Sequence, residues 1–191
     1  MIKLRAFFLL IIVFVSLQKI AAQQDTARII PEKVNSDRTK PDEEVKNRLK
    51  PHLVAKLPSL LNETSGLANV GGQLWTINDG GNEAALYQID TASGRVMRRV
   101  MVSNARNIDW ESLTQDDSSI YIGDFGNNYG SRKNLRILKI AKYNLLNPAN
   151  DSVEAGFISF AFADQVDFSP RLNQTNFDCE AFFYCNDSLH L

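Results

Sequence analysis

An internal repeat constrains the fold of this chain more than any other feature of its sequence. Asn107-Ile108-Asp109-Trp110-Glu111-Ser112-Leu113 and Asn176-Phe177-Asp178-Cys179-Glu180-Ala181-Phe182 share the pattern Asn–apolar–Asp–x–Glu–small–apolar, 69 residues apart from Asn107 to Asn176. In each copy a further apolar residue follows seven positions on, Ile120 after Leu113 and Leu189 after Phe182. A degenerate earlier copy reads Ser65-Gly66-Leu67, with Leu74 seven on and Glu63 two positions ahead of where the register puts the acid. From Leu67 to Leu113 the period is 46 residues. A repeat of this length is one supersecondary unit that buries its apolar face against its neighbours.

Between the repeated motifs the chain reads as short β-type runs separated by Gly, Asn, Asp and Ser clusters, at residues 66–68, 73–77, 85–89, 95–102, 112–114, 120–122, 135–140, 157–162 and 181–184. Alternation is clearest in 157–162, where Ile158, Phe160 and Phe162 fall on one face and Phe157, Ser159 and Ala161 on the other. No window of comparable length repeats at helical spacing, so the domain is expected to be all-β. The first two units run on into related turns, Asn78-Asp79-Gly80-Gly81-Asn82 and Gly123-Asp124-Phe125-Gly126-Asn127-Asn128. A period of 46 residues with room for four short strands matches a β-propeller blade.

Propellers close with typically 4–8 blades of about 40–45 residues, roughly 160–360 in all, whereas residues 52–191 supply 140. That is two blades and the start of a third, and the last residues, Ser188-Leu189-His190-Leu191, read as strand. The expectation is therefore a partial propeller over 52–191, the N-terminal portion of a longer protein. The alternative is a small β-sandwich complete at Leu191.

Ahead of this domain, Lys3 and Arg5 precede an apolar run over 6–17 broken only by Ser16, and Lys19 leads into Ile20-Ala21-Ala22-Gln23. A membrane span wants about 20 apolar residues and a signal-peptide core roughly 7–15. Residues 1–22 thus read as a signal peptide cleaved after Ala22. The product is then exported to the periplasm, the outer surface or the medium, with no stable membrane span. An uncleaved anchor is the alternative, because Ile20 is larger than the alanine preferred at that position. Residues 23–51 form a charged linker. Between Asp25 and Lys50 lie seven Lys/Arg and six acids, punctuated by Pro31, Pro41 and Pro51, too little apolar surface to offset the entropy of ordering.

Charge and cysteine count exclude several classes. With 21 Lys+Arg against 22 Asp+Glu, the net charge of −1 leaves no basic excess for a phosphate backbone, so nucleic acid is not an expected partner. Two cysteines and two histidines are too few for a disulfide scaffold or a zinc site. Were the intervening residues extended, Cys179 and Cys185 would sit about 20 Å apart, beyond disulfide reach. No Gly-x-Ser-x-Gly elbow, His-Glu-x-x-His pair or phosphate loop occurs.

Taken together, Glu63-Thr64-Ser65-Gly66-Leu67, the run from Leu74 to Gly81, Leu86-Tyr87-Gln88-Ile89-Asp90, Asp109-Trp110-Glu111 and the run from Ile120 to Asn128 resemble the opening blades of exported bacterial β-propeller proteins of uncharacterised activity. These are distantly similar to phytase-like and quorum-regulated propellers, whose blades carry an Asp-x-Glu-Gly-type motif. Here Ser112 and Ala181 stand where that glycine is usual. The resemblance covers about 135 residues, from Leu57 to Leu191, and implies the fold.

Glu63, Asp109, Glu111, Asp178 and Glu180 recur near the start of the first strand of each unit, where a propeller faces its central channel. Converging carboxylates there would hold a hard cation such as calcium, Glu111 and Glu180 foremost, or act as a general acid–base pair. Otherwise each accepts backbone N–H bonds at a blade junction. Asp79 and Asp124 lie in turns, where a carboxylate commonly closes its own turn. Trp75, Trp110, Tyr87 and Tyr121 read as core rather than as sugar-stacking platforms. Two functions follow as expectations. The first is a non-catalytic exported module that binds a protein, glycan or small ligand; the second is a calcium-dependent hydrolase of phosphoester or lactone type.

Overall fold

The computed structural model describes residues 51–191. The expected signal peptide, and all of the charged linker but Pro51, lie outside the described residues.

The described chain is almost wholly β. After a single 3₁₀ turn at Ser59–Leu61, strands β1 (Thr64–Val70), β2 (Gln73–Asn78), β3 (Ala85–Ile89) and β4 (Val96–Val102) form an antiparallel meander. A second sheet is built from β5 (Trp110–Gln115), β6 (Ser119–Asp124) and β7 (Arg136–Ala141). The chain then passes through a one-turn helix α1 (Lys142–Leu146) and lays β8 (Ser152–Val153) parallel to β4 on the edge of the first sheet. It returns as β9 (Gly156–Ser159) to complete the second, in the order β5-β6-β7-β9. A hairpin of β10 (Phe183–Cys185) and β11 (Ser188–His190) follows. None of these sheets closes on itself.

The repeat seen in the sequence is a repeat of register. Thr64 pairs Asn78 and Gly66 pairs Ile77, with a bulge between Thr64 and Gly66. Trp110 pairs Asp124 and Ser112 pairs Gly123, with a bulge between Trp110 and Ser112. Each residue of the second set lies 46 positions after its counterpart in the first. This register makes Glu63 the counterpart of Asp109, and Ser65 the counterpart of Glu111. The first strands of the two sheets run close together: a Cβ on Gly66 would sit 2.9 Å from the Leu113 nitrogen, so glycine is required there. Ser65 Oγ donates to the Trp110 carbonyl at 2.8 Å and Gln115 Nε2 to the Asn69 carbonyl at 2.8 Å, tying β1 to β5.

Burial follows strand alternation. Trp75 and Ile77 of β2, Leu86 of β3 and Val100 of β4 pack against Trp110, Ile120, Ile122, Leu138 and Ile140 of the second sheet. All six residues of β6 are buried, because both of its faces are covered. Ile120 and Ile122 look to the first sheet, while Tyr121 joins Phe125, Ile137 and Phe182 on the other side. Trp75, Trp110, Tyr87 and Tyr121 are therefore core residues. Each large apolar side chain so buried contributes about 1.5–3 kcal/mol.

Two features depart from the sequence expectations. The alternating run 157–162 is strand only to Ser159, and all four residues of β9 are exposed. As an edge strand bonded to β7 alone, β9 has no layer over either face. Phe160 and Phe162 leave it to join an aromatic cluster, Phe160 edge-on to Phe125 at 6.2 Å and to Phe162 at 5.7 Å. Helix α1 gave no sequence signal because five residues are too few to show a period. It seats fully buried Leu145 against the core. Cys179 and Cys185 are both free thiols. No helix among the described residues is long and apolar enough to cross a membrane.

Candidate metal centre

The motif asparagine builds the site. Asn107 Nδ2 donates to the carbonyls of Asn78 at 3.0 Å and Asp79 at 2.7 Å, while its Oδ1 accepts the Trp110 N–H at 3.1 Å. One side chain thus clamps the end of β2 to the start of β5. Asp79 is held further by its own N–H, which donates to the Glu63 carbonyl at 2.8 Å, and by its Oδ1, which accepts the Gly80 N–H at 2.5 Å. Asp109 and Glu111 flank buried Trp110 at the bulge that opens β5.

As a result, Asp79, Asp109 and Glu111 each bring a carboxylate oxygen within 4.8 Å of the other two. Two glycines make room for them. A Cβ on Gly126 would run into Glu111 Oε1 and lie 2.5 Å from Asp109 Oδ2. A Cβ on Gly80 would stand 2.8 Å from the Ile108 carbonyl and 3.0 Å from the Asp109 Cα, besides striking Asp109 Oδ1.

The other acids divide by role. Asp124, fully buried at the end of β6, accepts the Asp109 N–H at 3.1 Å and pairs with Arg132 at 3.0 Å and Arg136 at 2.8 Å. It anchors the segment and closes no turn of its own. Asp178 accepts the Asn127 N–H at 2.5 Å. Glu180 is exposed, and its charge acts on Glu111. Glu63 stands apart at the surface, accepting from Asn82 Nδ2 at 2.6 Å. Of the five repeated acids, Asp109 and Glu111 converge, Asp178 and Glu180 flank them, and Glu63 does not join. The third converging carboxylate is Asp79, which the sequence marked only as a turn residue. Arg132 and Arg136 carried no motif, and Asn107 was legible only as the first letter of the repeat.

The electrostatics are those of an unneutralised cluster. Burial, then the charges of Asp79, Glu180 and Asp109, push the Glu111 carboxyl up to about 8. Burial also raises Asp109, with Asp79, Asp178 and Asp124 adding to it and Arg132 opposing. The nearby Cys179 thiol is raised by burial first, with the charges of Glu180, Asp178 and Glu111 adding to it. Arg132 is committed elsewhere, donating to the Gly126 carbonyl at 2.7 Å, the Asp124 carboxylate at 3.0 Å and Asn134 at 3.3 Å. Among the described residues no N–H or basic side chain donates to the Glu111 carboxylate, although Glu111 is only 8% exposed.

Calcium takes 6–8 oxygen ligands at 2.3–2.6 Å. Asp79, Asp109 and Glu111 would fill part of such a shell and leave positions for water or a ligand. A cavity of about 340 Å³, lined by Asp109, Asn127, Tyr129, Arg132 and Leu172 among others, opens beside them. A comparison with protein-family models gives no match, and no curated protein matches the chain.

Proposed function

We propose that this protein is an exported binding module of β-propeller architecture that takes a divalent cation of the calcium class at Asp79, Asp109 and Glu111, and through it a protein, glycan or small ligand. Two antiparallel sheets that repeat one register and one bulge 46 residues apart support the blade reading. The single observation that carries the cation is Glu111. The residue is 8% exposed, and its carboxylate lies against two other acids with no N–H or basic side chain donating to it among the described residues, an arrangement that a bound positive charge would relieve.

A calcium-dependent hydrolase is the second reading, favoured by one feature: Glu111, raised to about 8 in the metal-free protein, stands beside other carboxylates, a grouping that suits general acid–base work. Calorimetric titration of the full-length protein with calcium tests the first. The native protein is expected to bind, Glu111→Gln to lose at least about tenfold in affinity, or 1.4 kcal/mol, and Glu180→Gln to lose less. Absence of binding heat in the native protein removes both readings. Calcium-dependent turnover of a phosphomonoester or lactone, lost in Glu111→Gln, selects the second.

A further inference from the structure

A second cavity, of about 380 Å³, is lined by Ser103, Asn104, Ala105, Arg106, Ile108 and Arg136. No carboxylate lines it. Its walls are held by one backbone bond and one side-chain amide: Ser103 N–H donates to the Val153 carbonyl at 2.9 Å, Asn104 Nδ2 donates to the Ala155 carbonyl at 2.9 Å, and Asn104 Oδ1 accepts the Ala155 N–H at 2.9 Å. The loop from β4 to β5 is thus fastened to the segment between β8 and β9.

Arg136 is fixed in this wall by three contacts. Its Nε donates to Asp124 at 2.8 Å, one Nη donates to the Arg106 carbonyl at 3.2 Å, and the guanidinium lies over the Phe157 ring at 5.0 Å. The other Nη has no acceptor among the described residues. Arg106, exposed on the same loop, has no side-chain partner among them. Asp124 is already shared between Arg132 and Arg136. Two guanidiniums with unspent donors therefore border a pocket that the apolar Ala105 and Ile108 also line.

We infer that this cavity binds the oxyanion of an organic ligand, a carboxylate or phosphate monoester, between Arg106 and Arg136, with the ligand's apolar portion on Ala105 and Ile108. The free guanidinium fork of Arg106 matches such an oxyanion with two parallel hydrogen bonds, and Arg136, already fixed, adds its unspent Nη at little loss of freedom. The inference is independent of the cation site.

The test uses the full-length protein and follows the Arg136 Nε–Hε NMR signal, which the bond to Asp124 protects from exchange. Sodium acetate, hexanoate and inorganic phosphate are titrated against sodium chloride at equal ionic strength. The expected result is a saturable shift that chloride does not produce, weakened at least fivefold in Arg106→Gln at an unchanged melting midpoint. Hexanoate tighter than acetate assigns the site to carboxylates with an apolar chain; phosphate tighter than both assigns it to phosphoryl groups. Responses no different from chloride, or equal affinity in Arg106→Gln, overturn the inference.

Discussion

In the folded protein burial and the neighbouring acids carry the Glu111 carboxyl from its ordinary 4.5 up to about 8. A group whose pKa rises on folding stabilises the fold fully below its unfolded pKa and loses that contribution as pH climbs through the folded value. The metal-free protein is therefore expected to lose thermal stability as pH rises from about 4.5 to about 8. Glu111→Gln, neutral throughout, should flatten that fall. Melting curves in a chelator check this, and a native midpoint that holds or rises over the interval contradicts it. Saturating calcium should reverse the trend, since the cation needs the ionised carboxylates. At this scale the sequence already held Asp109 and Glu111 as one unit, because both sit in the repeat. It did not hold Asp79, which reaches them through Asn107, a side chain 28 positions away along the chain.

Strand β6 is the element on which the second sheet depends, buried on both faces and ending in Asp124 between two arginines. Removing one partner of a buried ion pair leaves an uncompensated charge and costs about 3–5 kcal/mol. Asp124→Asn is expected to lose stability in that range, because Arg132 and Arg136 lose their shared counter-charge while Asp109 keeps an oxygen to bond. Urea denaturation measures it, and a loss under about 1 kcal/mol would mean that the pairs behave as surface pairs. Strands β3 and β7 were legible as short, near-continuous apolar runs because both of their faces meet other layers, Leu86, Leu138 and Ile140 on one side and Tyr87 and Ile137 on the other. Strand β9 shows the limit. Alternation in 157–162 described residues able to face two ways, but an edge strand with nothing packed over it ends where Phe160 finds Phe125.

At the scale of the whole molecule, the sheets are held in sequence by contacts between their first strands. Ser65 reaches Trp110 across β1 and β5, and the Tyr184 N–H donates to Thr114 Oγ1 at 3.0 Å across β5 and β10. The N-terminal segment carries a separate prediction. Lys3, Arg5 and the apolar run over 6–17 lead to a product whose N-terminal sequencing begins at or near Gln23, and recovery of Met1 in a cytoplasmic fraction would count against export. What the sequence determined by itself is what local chemistry and periodicity encode: an all-β chain, the repeated unit, the Asp-x-Glu pair and the tryptophans of the core. Only the tertiary structure decided which acids meet. A bulge of one residue sets whether position 63 or 65 faces its neighbour, and a clamp from Asn107 sets whether a turn aspartate stands free or joins the cluster. Both are relations between segments far apart in the chain, and nothing in the residues of either segment alone records them.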